Sequence, residues 1–262
     1  MANSTTHPDN TRSSNGPGVE MRWPAAVLWR TDEPTVRKIT TTDVWEALAQ
    51  GFDDFRAIPT HAFFICLIYP VAGLVLYRLS FGYEMLPLLY PLVAGFALLG
   101  PFIAIGLYEL SRRREQDPNV SPMRAFDVMH RPSFGAICRL GLLLAAIFVA
   151  WLYAANLIYL QIFGNAVPPP AEFINQVTTT AKGTQLIIVG NVVGFLFAAF
   201  VLVISVVSFP MLVDRNVSAA TAVRTSVRAA IENPIPIALW GLIVAFSLLI
   251  GAVPLLVGLA LV

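Results

Sequence analysis

Five long stretches of the chain carry no Asp, Glu, Lys or Arg, and the polar residues gather in blocks between them. The uncharged runs separate Arg56 from Arg78, Glu84 from Glu109, Arg139 from Glu172 and Lys182 from Asp214, and the last runs from Asn233 to Val262. Their lengths are 21, 24, 32, 31 and 30 residues. A bilayer core of about 30 Å needs about 20 helical residues. Each run is therefore long enough to cross once and too short to cross twice. The runs are continuously apolar, whereas membrane strands alternate at every second residue, so the spans are helical. The pattern predicts spans near 60–79, 85–110, 135–162, 184–212 and 236–258. The last run contains Gly251, Pro254 and Gly258. It is either one Pro-kinked span or a fifth span with the opening of a sixth that is cut short. The reading adopted is five full spans and a truncated sixth.

Three shorter amphipathic segments stand before the first, third and fifth spans. They run from Thr42 to Pro59, from Asn119 to Pro132 and from Asn216 to Pro234, and each ends in a Pro. The expected unit is a surface helix, a sharp turn at the Pro, then a membrane helix. In the first, Val44, Leu48, Phe52 and Phe55 share a face, and Asp43 with Glu46 approximates a capping box. In the second, Ser121 before Pro122 reads as a cap followed by Pro at the first helical position. In the third, Ser218 reads as the cap and Ala220, Val223, Val227 and Ile231 as the apolar stripe. Arg224 and Arg228 can reach phosphates. Residues 1–27 read as a disordered tail, with Ser, Thr, Asn, Pro and Gly dominating the first 20. Residues 28–262 read as the membrane domain. No apolar core follows a basic start, so the first span is expected to serve as an uncleaved targeting signal.

Composition sharpens this picture. Hydrophobic residues make up 56% and charged residues 13%, with a mean hydropathy of +0.69. A soluble domain carries about 25% charged residues, so a water-soluble enzyme and a disordered protein are excluded. The net charge of +1 points to no nucleic-acid partner. Of the 17 Lys and Arg, 6 lie in the amino-terminal arm through Arg56, 6 in 111–139 and 3 in 214–233. Only Arg78 and Lys182 fall on the other side. By the positive-inside rule the arm and the two basic segments face the cytoplasm of a bacterial inner membrane. The turn 80–84 and the loop 163–183, with its Pro168-Pro169-Pro170 run, face outward.

The chemistry-bearing residues are few. His7, His61 and His130 are too few for a haem–copper catalytic subunit. His61 and His130 at similar depth could bracket one haem, but the reading adopted is interfacial placement beside Pro59 and Pro132. Cys66 and Cys138 form no Cys-x-x-Cys and no metal-ligand cluster. Protease and hydrolase motifs are missing. No cofactor, metal or catalytic residue is expected. Glu109 is the outstanding polar residue, at the end of the second span just before Arg112-Arg113-Arg114. It can pair with Arg112 or Arg113 along the helix, or act as a proton- or substrate-responsive carboxylate. Tyr108, Asn119, Ser121, Asp214, Arg215, Asn216 and Ser218 complete the candidate polar positions. Asn156, Gln161 and Asn191 are expected to bond neighbouring helices, and Gly190-x-x-x-Gly194 to be a packing spot.

The stretch Gly100-Pro101-Phe102-Ile103-Ala104-Ile105-Gly106-Leu107-Tyr108-Glu109-Leu110-Ser111-Arg112-Arg113 carries a family resemblance. So do Trp45-Glu46-Ala47-Leu48 with Asp53-Asp54-Phe55, and Phe209-Pro210-Met211 with Asn216-Val217-Ser218. The chain resembles, over roughly 28–262, the bacterial integral membrane family called domain of unknown function 2189. The resemblance implies a six-span inner-membrane protein, and some members carry the label of a putative cytochrome c oxidase subunit. The expected role is a non-enzymatic protein that binds membrane lipids or other membrane proteins, accessory to a respiratory complex. A small-molecule or lipid transporter built on Pro-broken spans and Glu109 is the first alternative, and a haem-binding redox subunit the second.

Overall fold

The computed structural model describes residues 34–57, 86–117 apart from 97 and 99, 120–165 and 168–260. The amino-terminal tail, the span expected near 60–79, the turn 80–84, His61, Cys66 and Asn119 lie outside the described residues. All that is described belongs to one compact unit, 33–262.

Every regular element among the described residues is helical, and the protein is an all-α membrane protein. In chain order there are α1 (Thr41–Ala57), a 3-10 turn (Leu86–Leu88), α2 (Leu89–Phe96), α3 (Gly100–Ile103) and α4 (Ile105–Arg114). A long 3-10 helix (Pro122–His130) follows, then α5 (Phe134–Phe163), α6 (Pro170–Thr179), α7 (Ala181–Ser205) and α8 (Ser208–Asp214). The chain closes with α9 (Ala219–Glu232) and α10 (Pro234–Ala260). Among the described residues, two helical stretches are long and apolar enough to cross a membrane: α5, and the α7–α8 stretch Ala181–Asp214. A third candidate is bent by 105° where α9 meets α10. Asn233 at that corner has φ −132° and ψ 58°, outside the helical region, as expected of a residue before Pro.

Three expectations change. The helix expected over 85–110 is broken into the 3-10 turn, α2, α3 and α4, because Pro87, Pro91 and Pro101 each remove a backbone donor and crowd the preceding turn. The expected loop 163–183 contains α6, with Pro170 in its first turn and Phe173 packed on Tyr159 at 6.1 Å between ring centroids. The sixth helix does not begin among the described residues, since α10 continues through Pro254 to Ala260.

The core is built on one face of α5. Leu140, Leu144, Ile147, Trp151, Ala155 and Tyr159 recur at helical spacing and are buried. Trp151 is the hub. Its indole N–H donates to the Pro91 carbonyl of α2 at 2.8 Å, and its ring lies 5.6 Å from Phe197 of α7. Two glycines make room for it. A Cβ on Gly95 would come within 2.5 Å of the indole, and one on Gly194 within 3.1 Å. Of the expected Gly190-x-x-x-Gly194 pair, Gly194 is therefore a close-approach point, while Gly190 faces open space. Asn191 does bond a neighbour: its side-chain carbonyl accepts from the Tyr90 hydroxyl of α2 at 2.9 Å.

The bend between α7 and α8 is lined by hydroxyls. The Ser226 hydroxyl, from α9, donates to the Val203 carbonyl at 2.7 Å and accepts from the Val207 amide at 3.2 Å. It thereby bridges a donor and an acceptor that would bond directly in an unbroken helix. Ser205 donates to Val201 and Ser208 to Ile204, at 2.6 and 2.5 Å. The Ser226→Ala variant should lose about 1–3 kcal/mol, the cost of leaving buried backbone groups unpaired. Thermal unfolding in detergent checks this, and Ser226→Thr should recover part of the loss.

This contact also corrects the face assigned to α9. The buried stripe is Ala222, Ser226, Ala229 and Ala230, whereas Ala220 and Ile231 are exposed and Val223 and Val227 half-buried. Small residues let the α9 backbone approach the α7–α8 bend closely enough for Ser226 to reach it. Val223 and Val227 of the stripe named from hydropathy pack against the core beside it.

The helix starts differ in chemistry. Ser218 caps α9, accepting from the Thr221 amide at 3.1 Å. Ser121 makes no side-chain cap, and its segment is a 3-10 helix rather than an α-helix. The capping box of α1 lies three residues earlier than expected, at Thr40 and Asp43. Asp43 accepts from the Thr40 amide at 2.6 Å, and the Thr40 hydroxyl accepts from the Asp43 amide at 3.3 Å. These bonds from Thr40 hold the Asp43 carboxyl below its ordinary pKa. The cap is thus fully formed above the usual carboxylate range and is lost as the pH falls through the lowered value.

Asn233 ties the arm to the bundle. Its side-chain carbonyl accepts from the Ile39 amide at 2.9 Å and its amide donates to the Arg37 carbonyl at 3.1 Å. Lys38 adds a bond to the Glu232 carbonyl at 2.5 Å. Replacing Asn233 by Ala should free residues 37–39, at a cost of about 1–3 kcal/mol. Hydrogen exchange should accelerate at Ile39 and leave the middle of α5 unchanged.

Candidate functional site

The polar residues of the described segments converge at one end of the bundle, where α4, the 3-10 helix, α1 and the end of α8 meet. Helical spacing makes the first half of the cluster. Arg112 and Arg113 follow Glu109 by three and four residues and fold back onto it. Arg112 forms a fork on the carboxylate, Nε to Oε2 at 3.1 Å and Nη2 to Oε1 at 2.9 Å, and Arg113 Nε reaches Oε1 at 2.6 Å. Tertiary structure makes the second half. Arg131, just past the 3-10 helix, brings Nε within 3.3 Å of Glu109 Oε2 and donates through Nη1 to the Val213 carbonyl. That carbonyl belongs to the last turn of α8, where no helical donor remains. Glu109 is fully buried and surrounded by three guanidinium groups.

The charges continue outward from this centre. Arg113 also meets Asp127 at 3.0 Å, and Arg124 shares that carboxylate at 3.2 Å. Asp54 of α1 accepts from both Arg114 and Ser111. Two clusters carried by α4 therefore join it to its neighbours: one to the 3-10 helix and α8, the other to α1. The packing beneath it is close: a Cβ on Gly106 would sit 3.4 Å from the Ala125 methyl, and Leu110 and Ala125 are buried together.

Of the candidate residues, the structure brings Glu109, Arg112 and Arg113 together. Tyr108 is half-buried against the main core. Ser121 is exposed, Ser218 is the cap of α9, and Asn216 is exposed. Asp214 and Arg215 pair only loosely, at 3.4 Å with both side chains more than half exposed. Arg131, Asp127 and Ser226 were not candidate sites from sequence, and Asp54 entered only through the family resemblance, because the contacts that place them in the fold reach residues distant along the chain. The weak signal was their setting: Asp54 and Asp127 are carboxylates within amphipathic segments that hold few other anchors.

Among the described residues no group of three or more His, Cys, Asp or Glu is placed to hold a metal ion. His130 and Cys138 are exposed. The geometry of the network is that of a brace: each buried carboxylate oxygen already accepts from guanidinium groups.

The segment that supplies most of the brace and the Trp151 hub runs from α2 to the end of α8. Residues 89–214 match the family described as predicted integral membrane protein (DUF2189). The match is narrower than the resemblance over 28–262. It includes Gly100–Arg113 and Phe209-Pro210-Met211, and leaves out the α1 stretch and Asn216-Val217-Ser218. Within the matched stretch, three residues have evident physical roles. Phe102 packs on Phe209 at 6.4 Å, Gly106 admits Ala125, and Glu109 collects the arginines. No curated protein and no solved structure matches the chain.

Proposed function

We propose that this integral membrane protein is non-enzymatic and binds lipids and neighbouring membrane proteins along its cytoplasmic face, with its amino-terminal arm inside. The observation that carries this reading is the make-up of the surface helices. Trp45 and Phe52 on α1, and Ile231 at the end of α9, are exposed apolar side chains. Arginines stand beside them: Arg56 lies 4.3 Å over the Phe52 ring, and Arg224 and Arg228 project from α9. Apolar rings next to guanidinium groups suit the boundary between acyl chains and headgroups. Asp54 ties α1 to α4 and Ser226 ties α9 to the α7–α8 bend, so both helices are held in place, as a docking platform requires. A place beside a respiratory complex follows from the family resemblance.

Affinity purification of the full chain in a mild detergent, followed by mass spectrometry of proteins and lipids, tests the proposal. Reproducible recovery of a membrane partner, respiratory subunits foremost, or of specific lipids is expected. Recovery of neither would refute it.

A further inference from the structure

A groove of about 550 Å³ lies between the first turns of α5 and the first half of α9. Leu140, Leu143, Ala219, Ala220 and Val223 form its apolar wall, and Arg139 and Arg224 border it. Resting on the lipid-binding reading above, we propose that this groove is a site for an anionic phospholipid. The phosphate would sit between Arg139 and Arg224, and the start of an acyl chain would lie on Leu143, Ala220 and Val223.

Three observations support this occupant over a peptide or a second copy of the chain. First, both guanidinium groups are exposed and have no carboxylate partner among the described residues. Arg139 donates only to the Gly135 carbonyl of its own helix. Second, no acid lies near either arginine along the chain. There is no Asp or Glu from Pro132 to Ala171, nor from Arg215 to Ile231, and Glu232 is taken by Arg228 at 3.0 Å. Third, Arg139 stands near the start of α5, a helix able to cross a membrane, Arg224 stands on the neighbouring α9, and the wall beside them is apolar. Two cations above an apolar strip match an amphiphile with an anionic head, and basic grooves between membrane helices hold such headgroups.

The test uses the full-length purified protein, delipidated and then offered phosphatidylglycerol and phosphatidylcholine in mixed micelles, with retained lipid counted by native mass spectrometry. Wild type should retain phosphatidylglycerol preferentially. Arg139→Gln and Arg224→Gln should each weaken that retention about fivefold, and the double variant about thirty-fold, with phosphatidylcholine unaffected. Ala220→Trp keeps both charges and fills the wall, and should weaken retention as well. Both arginines and Ala220 are exposed, so the variants should keep the wild-type unfolding temperature. Preferential retention that is the same in wild type, the double variant and Ala220→Trp would overturn the groove assignment while leaving the broader lipid-binding reading standing. Full displacement by millimolar inorganic phosphate would show a simple anion site and overturn the lipid proposal. A wild type that retains neither lipid, and has no protein partner, would remove both.

Discussion

Replacing Glu109 by Leu should destabilise the protein by about 3–5 kcal/mol, the largest loss expected from any single charged residue. The carboxylate is fully buried, and Arg112, Arg113 and Arg131 all aim at it. Its removal leaves three converging guanidinium groups without their common counter-ion. Breaking a buried ion pair from one side costs about that much, and here three guanidinium groups only 21–29% exposed are left repelling one another. The control is Asp214→Ala. Asp214 is exposed and pairs loosely with Arg215, so the change should fall within about 0.5 kcal/mol. Thermal unfolding of the two variants in the same detergent checks the contrast. Equal, small effects would show that Glu109 is not the keystone of the network.

Trp151→Ala should come second, at about 3–5 kcal/mol. The indole fills the space between α2, α5 and α7, so its loss leaves a cavity that two glycines cannot close. It also strands the Pro91 carbonyl, which accepts from the indole N–H at 2.8 Å. Gly95→Val approaches the same contact from the other side. The added Cβ would lie 2.5 Å from the ring, so either the ring or α2 must move. Both variants should lower the unfolding temperature, and Gly190→Ala, which faces open space, should not.

These two sites show what the sequence discloses and what it conceals. The apolar runs over 140–171 and 183–213 mark α5 and α7 because a helix long enough to cross needs nothing beyond length and hydropathy. Glu109 with Arg112 and Arg113 was equally legible, since the pairing follows from helical spacing alone. Arg131 was not, because it reaches Glu109 only after the 3-10 helix folds against α4. Ser226 was hidden for a related reason. In hydropathy the α9 stripe reads as Ala220, Val223, Val227 and Ile231, yet α9 packs through its small residues because the bend in α7–α8 needs a hydroxyl. The broken 85–110 segment was misread as one helix because hydropathy ignores the backbone donors that Pro87, Pro91 and Pro101 remove. The Pro-rich loop 163–183 conceals α6, where Pro170 starts a helix instead of preventing one.

Charged segments are braced together at one end of the bundle, and the proposed orientation puts that end in the cytoplasm with α5 and α7 crossing to the far face. Cysteine accessibility tests it most directly. In a functional background with Cys66 and Cys138 replaced by Ser, Gln116→Cys reports the braced end and Glu172→Cys reports α6, both at exposed positions. A membrane-impermeant maleimide should label position 172 in spheroplasts with an intact inner membrane, and position 116 only after that membrane is permeabilised. Labelling of 116 with the membrane intact, or of both positions from the same side, would contradict the orientation and the crossing of α5.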